Sequence, residues 1–200
     1  MIDEGYIKYQ CNWIVSPALE TNLLSEINSW RTRMYQLGLI GEYDNGIGFG
    51  NISVRDCVPE HFIISGTQTG HLESLNEEHY TRVIKFNFTE NSLTCQGPIK
   101  ASSESLTHAA IYTANPKINA VIHVHHLQLW QQLLDKVPTT ARNCAYGTPE
   151  MAEEIMRLST KEELQTEKII VMSGHEEGII TFGISLAEAA DVLHKYYGLS

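Results

Sequence analysis

Asn119-Ala120-Val121-Ile122-His123-Val124-His125-His126 is an apolar, β-branched run broken by two histidines two positions apart. Its composition is that of a buried strand. Side chains on a strand alternate between faces, so His123 and His125 point to one side and His126 to the other. Two imidazoles on one face form a chelating pair suited to zinc or another divalent transition metal. Inside an apolar run they need partners, because an unpaired buried polar group costs about 1 to 3 kcal/mol. A catalytic zinc usually takes three protein ligands, so a third must come from elsewhere in the chain.

The flanking sequence reads as helices, hairpins and strands in mixed order. Ser16-Pro17 has the form of a helix start, and Leu19, Leu23, Leu24, Ile27, Trp30, Met34 and Leu37 follow at helical spacing up to Gly38 and Gly41. The glycine-rich Asn45-Gly-Ile-Gly-Phe-Gly50 reads as a loop leading into strands at 51–55 and 61–65. Strands at 81–88 and 92–96 are joined by a turn around Thr89-Glu90-Asn91. Ser103 is placed to cap a helix that runs to Ala114 and closes at Asn115-Pro116, directly before the histidine strand. Helices near 126–136 and 148–160, strands at 168–172 and 178–182, and a helix from Ser185 to Tyr197 complete the pattern. This order predicts an α/β sandwich with a largely antiparallel sheet covered by helices, rather than a regular βαβ winding.

Two hundred residues with 42% hydrophobic content and no linker or internal repeat predict one domain over residues 1–200. The apolar runs are too short to span a bilayer and the N-terminus lacks the order of a signal peptide, so no membrane association and a cytoplasmic location are expected. Cys11, Cys57, Cys95 and Cys144 show no Cys-x-x-Cys spacing and read as reduced thiols. A formal net charge of −10 argues against a nucleic-acid partner, whose backbone needs a basic surface. Small anions remain accessible, since backbone N–H groups, hydroxyls and a metal bind phosphate locally.

The candidate third ligand is His175, in Met172-Ser-Gly-His-Glu-Glu-Gly178, between two β-rich segments; Glu176 and Glu177 compete with it. In Ser102-Ser103-Glu104, the glutamate falls in the first turn of the helix before the histidine strand, with His108 one turn on. There it either complements the helix dipole on a solvated face or shuttles protons beside a Lewis-acidic metal. Gly50-Asn51, Ser65-Gly-Thr-Gln-Thr69-Gly70 and Ser102-Ser103 are small, hydroxyl-bearing segments that read either as turns or as a phosphate cradle.

Gly-Asn-Ile-Ser-Val-Arg (50–55), Thr-Gly (69–70), Ser-Ser-Glu with His108 and Tyr112, Ala-Val-Ile-His-Val-His (120–125), Tyr-Gly-Thr-Pro-Glu (146–150) and Gly-His (174–175) occur in the order that resembles the class II aldolase/adducin family, over roughly residues 20–195. The resemblance implies a three-layer α/β/α sandwich, a homo-oligomer, commonly a tetramer with active sites at subunit interfaces, and zinc held by His123, His125 and His175. It implies Glu104 as catalytic acid/base, and Asn51, Thr69, Gly70, Ser102 and Ser103 as the phosphate cradle. The expected activity is that of a zinc-dependent aldehyde-lyase acting through an enediolate on a small hydroxy-ketone or ketose, as a sugar phosphate. A methylthioribulose-phosphate dehydratase-like hydro-lyase and an adducin-like module without catalysis are the alternatives. Glutamate at the Ser-Ser-Glu position favours aldolase or dehydratase over the epimerases, which tend to carry aspartate there. Three departures stand out. His175-Glu-Glu-Gly178 carries two residues more than the family's His-Gly, the stretch from His126 to Tyr146 is short and lacks the tyrosine that a neighbouring subunit contributes, and Tyr196 or Tyr197 is left to stand in for a C-terminal catalytic tyrosine.

Overall fold

The computed structural model of the protein describes residues 6–198. Along the chain run β1 (Gln10–Val15), α1 (Thr21–Gln36), β2 (Gly41–Glu42), β3 (Gly48–Phe49), β4 (Asn51–Arg55), β5 (Phe62–Ser65), β6 (Tyr80–Asn87) and β7 (Ser92–Gly97). There follow α2 (Ser105–Ala114), β8 (Ala120–His125), α3 (Leu127–Leu133), α4 (Pro149–Ser159), α5 (Glu162–Glu167), β9 (Ile169–Val171), β10 (Gly178–Gly183) and α6 (Leu186–Tyr197). Eight strands form one sheet in the order β1-β7-β6-β5-β4-β8-β10-β9, and β2 and β3 make a separate small hairpin. The sheet is mixed: β1 lies parallel to β7, whereas the other neighbouring strands pair antiparallel. The expected antiparallel character thus holds everywhere except at one edge.

Strand alternation sorts the apolar side chains into two clusters on opposite faces. Phe62, Ile64, Val121, Ile170 and Ile180 join Leu106, Ala110, Met151, Ile155 and Leu164 from α2, α4 and α5. Ile52, Ile63, Ile122, Val124, Ile169 and Ile179 join Leu24, Ile27, Leu129, Leu186 and Leu193 from α1, α3 and α6. β8 and β10, each with a strand on either side and apolar residues in the two clusters, are buried along their whole length, which is why they read as continuous apolar runs. None of the helices among the described residues is long and apolar enough to cross a membrane.

Two helix starts differ from expectation. Ser16 continues the β1–β7 ladder, its N–H donating to the Gly97 carbonyl, and its hydroxyl reaches only the Pro17 carbonyl, so α1 begins at Thr21 with Glu20 as its N-cap. Ser103 is not the cap of α2; Glu104 holds that position, without a side-chain cap bond. At the other end, Ser185 caps α6 as its sequence suggests, accepting from the Glu188 N–H.

One charged side chain inside the structure organises the approach to the site. Arg31 of α1 is 1% exposed and donates to the carbonyls of Thr69, Gly70, Leu72 and Glu73, so a single guanidinium gathers the loop after β5. Gly70 must be glycine for a different reason. A Cβ there would lie 2.1 Å from the Gly41 carbonyl oxygen and 2.8 Å from the Gly48 Cα, because the β2–β3 hairpin packs directly on this loop. Arg31→Ala orphans several partly buried carbonyls at once, and we expect it to cost about 3 kcal/mol in chemical denaturation. A loss below about 0.5 kcal/mol would show that the guanidinium does not hold the loop.

Candidate metal and substrate site

His123 and His125 lie on the face of β8 shared with Val121, and His175 comes to them from the turn between β9 and β10. That turn is held by backbone bonds: the His175 N–H donates to the Met172 carbonyl, and the Gly178 N–H to the His175 carbonyl. Gly178 pairs with His125 across the strands, which brings the turn onto the end of β8. The three rings are buried, and their ligand nitrogens all lie within 4.8 Å of one another. His125 Nε2 and His175 Nε2 are 3.1 Å apart. Glu176 is exposed and Glu177 lies outside this cluster, so neither competing carboxylate joins the three nitrogens. His126 turns away: its Nδ1 accepts the Leu129 N–H as the cap of α3, and its ring packs on Tyr197.

Burial decides the electrostatics. Desolvation holds all three imidazoles well below the ordinary histidine value, His123 down to about 3, and for His125 and His175 the neighbouring rings add to the effect. Neutral imidazole is the form that binds a metal. His123 Nε2 finds no hydrogen-bond partner among the described residues. At the other side of the ring, the Asn51 amide nitrogen stands 3.2 Å from Nδ1 while its Oδ1 has no hydrogen-bond partner among the described residues. A half-turn of the amide exchanges its oxygen and nitrogen. With the oxygen toward the ring, Nδ1 carries the hydrogen and Nε2 offers its lone pair to an ion. The donor set and the orphaned nitrogen fit a divalent transition metal.

Glu104 is 2% exposed, so the solvated-face alternative does not describe it. Thr107 donates to its Oε2 at 2.7 Å, while Oε1 has no hydrogen-bond partner among the described residues and sits 3.7 Å from His175 Nε2. Burial pushes this carboxyl up to about 7, with Thr107 and the charge of Lys8 pulling the other way. His108, one turn along α2, accepts a different role: its Nδ1 meets the Ser53 hydroxyl at 2.7 Å, and Ser53 also bonds Tyr112.

Asn51, Thr69, Gly70, Ser102, Ser103, Glu104 and His123 all border one cavity of about 230 Å³. The five sequence-expected cradle residues are thus brought together, although some of their polar groups are already engaged. The Thr69 hydroxyl donates to the Gly66 carbonyl, Ser102 Oγ accepts the Glu104 N–H, and Asn51 faces His123. The cavity suits a small molecule.

Other neighbours carried no readable signal. The Tyr9 hydroxyl donates to the Ala101 and Ser102 carbonyls, Lys8 lies over the Tyr146 ring, and that ring is 4.8 Å from the His175 ring. The β1 segment therefore braces the site from behind. Tyr196 and Tyr197 are occupied elsewhere in the chain, on Glu167 and His126 respectively, and neither borders the cavity.

Residues 33–196 match the family model described as Class II Aldolase and Adducin N-terminal domain. The fold is similar to that of an L-fuculose 1-phosphate aldolase, with a TM-score of 0.68 at 16% identity over 90% of this chain and 84% of that one. It is also similar to a sugar-phosphate aldolase from Thermotoga maritima, with a TM-score of 0.65 at 19% identity over 88% of this chain and 90% of that one. An L-fuculose 1-phosphate aldolase from Glaciozyma antarctica gives 0.56 at 17% identity, over 90% of this chain and 72% of the other.

The buried titratable groups make metal-free stability pH-dependent. His108, His123, His125 and His175 have folded values below the ordinary 6.5, so below that pH the unfolded chain binds more protons and stability falls with pH. Glu104 acts oppositely, since its folded value of about 7 lies above the ordinary 4.5 and its contribution weakens as pH rises between them. Four groups outweigh one. The stability of the metal-free protein should therefore fall as the pH is lowered from 7.5 to 5.5, as followed by chemical denaturation. A flat profile from pH 7.5 to 5.5 would contradict the neutral, buried state of the rings.

Proposed function

The chain belongs to the class II aldolase and adducin family, and we propose that it is a zinc-dependent aldehyde-lyase that breaks or forms a carbon–carbon bond in a small, phosphorylated hydroxy-ketone. The observation that carries this reading is the meeting of three neutral imidazoles with a buried carboxyl whose free oxygen lies 3.7 Å from one of them, at the edge of a small cavity. In this reading His123, His125 and His175 hold the ion, which when bound supplies Lewis acidity toward carbonyl and hydroxyl oxygens. Glu104 holds the proton to be moved at Oε1, with Oε2 fixed by Thr107. Loops 45–50 and 66–70 and Ser102-Ser103 orient the phosphate end, since they bring backbone N–H groups and hydroxyls to the same cavity.

The two apolar clusters support the α/β/α layering that the family resemblance implies. The reading extends to a homo-oligomer, commonly a tetramer with sites at subunit interfaces, on the strength of the family membership. The non-catalytic reading fares worse, because a module free of catalysis has no need to keep a carboxyl buried beside three histidines. The hydro-lyase reading uses the same groups and differs in its product.

Purified protein should hold about one divalent transition metal per chain by elemental analysis, and His123→Ala or His125→Ala should remove most of it. His126→Ala should keep the metal and cost about 1 kcal/mol, the loss of a helix cap. Full occupancy in the His123/His125 double alanine variant would end the metal assignment.

A screen of phosphorylated and free ketoses for aldehyde release, against loss of water, identifies the reaction. On the substrate found, Glu104→Gln should retain fold and metal while turnover falls by about 10²- to 10⁴-fold. Near-wild-type turnover in that variant would refute the proton role of Glu104.

A further inference from the structure

Two residues outside the ligand set make a continuous hydrogen-bonded connection to His125. Tyr43, at the foot of the β2–β3 hairpin, has its hydroxyl 2.9 Å from His125 Nδ1 and 2.6 Å from Glu177 Oε2. Glu177 is the second of the two acidic residues that follow His175. Its carboxylate is 3.9 Å from His125 Nδ1, too far for a direct hydrogen bond, so the hydroxyl bridges the gap.

We propose that Tyr43 and Glu177 form an outer relay that fixes which nitrogen of His125 faces the metal and strengthens its hold on the ion; the proposal rests on the three-histidine metal reading. A phenol has one proton to give. A carboxylate oxygen can only accept, so the Tyr43 proton goes to Glu177, and the phenol oxygen then accepts from His125 Nδ1–H. That direction leaves the lone pair on Nε2, the nitrogen 3.1 Å from His175 Nε2. It also gives the ring a carboxylate-backed acceptor, which raises the basicity of the ligating nitrogen.

The surroundings are built to keep this geometry. Phe49 packs beside both partners, its ring centroid 4.6 Å from that of Tyr43 and 5.4 Å from that of His125. The Tyr43 N–H donates to the Ile47 carbonyl, and the Glu177 carbonyl accepts the His126 N–H. Glu177 occupies the left-handed region at φ 70°, a conformation that favours glycine. Asn51 on His123 and the Tyr43–Glu177 pair on His125 then form parallel supports for the two strand ligands.

The test measures ion affinity rather than turnover. Wild type, Tyr43→Phe, Glu177→Gln, the double variant and the exposed control Glu176→Gln are titrated with Zn²⁺ against a chromophoric chelator. The Co²⁺-loaded forms are compared by visible absorption. Tyr43→Phe should weaken Zn²⁺ binding by about 10- to 100-fold and shift the Co²⁺ bands. Glu177→Gln should weaken it less, because an amide oxygen still accepts from the phenol. In the Tyr43→Phe background it should add little, the connection being already cut. Glu176→Gln should match wild type. If Tyr43→Phe does not fold by circular dichroism, the Glu177→Gln titration decides alone. Zn²⁺ affinity and Co²⁺ spectra equal to wild type in the folded relay variants overturn the relay and leave the metal site standing. A wild-type protein that binds neither ion overturns both.

Discussion

Three imidazoles and a carboxyl are buried together in this protein, and the rest of the structure is arranged around that fact. Taking such groups out of water costs about 1 to 3 kcal/mol for each polar atom left unpaired, and among the described residues His123 Nε2 and Glu104 Oε1 have no hydrogen-bond partner. A cost of this size in a marginally stable domain is tolerated where the surrounding packing is rigid. Here it is supplied by a sheet whose central strands are covered on both faces. The same desolvation that makes the cluster expensive keeps the rings neutral and ready to donate lone pairs. Stability and chemistry therefore draw on one source, the exclusion of water.

The site is assembled from distant parts of the chain. β8 contributes two rings, the β9–β10 turn a third and the start of α2 the carboxyl. The β2–β3 hairpin and the loop after β5 form the wall opposite. Arg31 gathers that second loop, and it does so from α1, just ahead of the stretch matched by the family model. Tyr9 steadies the Ser102 carbonyl from the preceding segment. The edge of the sheet and the first helix thus serve the site without touching the cavity themselves.

The parts of this arrangement that could be read in the sequence are those set by local pattern. β4 through β8 and α6 follow from alternation, turn residues and the Ser185 cap, and the two strand histidines follow from a period of two. β1 escaped because its apolar Ile14 and Val15 lie exposed, so the run Trp13-Ile14-Val15 hides in the sequence the alternation that its burial shows from Gln10 to Ile14. The Ser16-Pro17 start misled because the serine was already committed to a strand ladder. Arg31, Tyr43 and the reach of Glu177 are contacts between residues dozens of positions apart, and no local spacing encodes them. His108 shows the opposite limit: it shares a helix turn with Glu104, yet its ring is spent on Ser53.

Part of the cavity wall is formed by glycines, which present only main chain. Gly46, Gly48, Gly50, Gly66 and Gly70 line it, and a side chain at Gly70 would collide with the backbone of the facing hairpin. A surface of peptide groups recognises a ligand by the placement of donors and acceptors rather than by the shape of side chains, and point substitution cannot easily recolour it. The side chains that also border the cavity, among them Tyr6, Asn45 and Gln68, are the part of the wall that substitution can change. Gly66 and Gly70, where a Cβ would run into Ile99 and into the Gly41 carbonyl, are the fixed part of that wall, and a change of specificity would be written in the side chains around them.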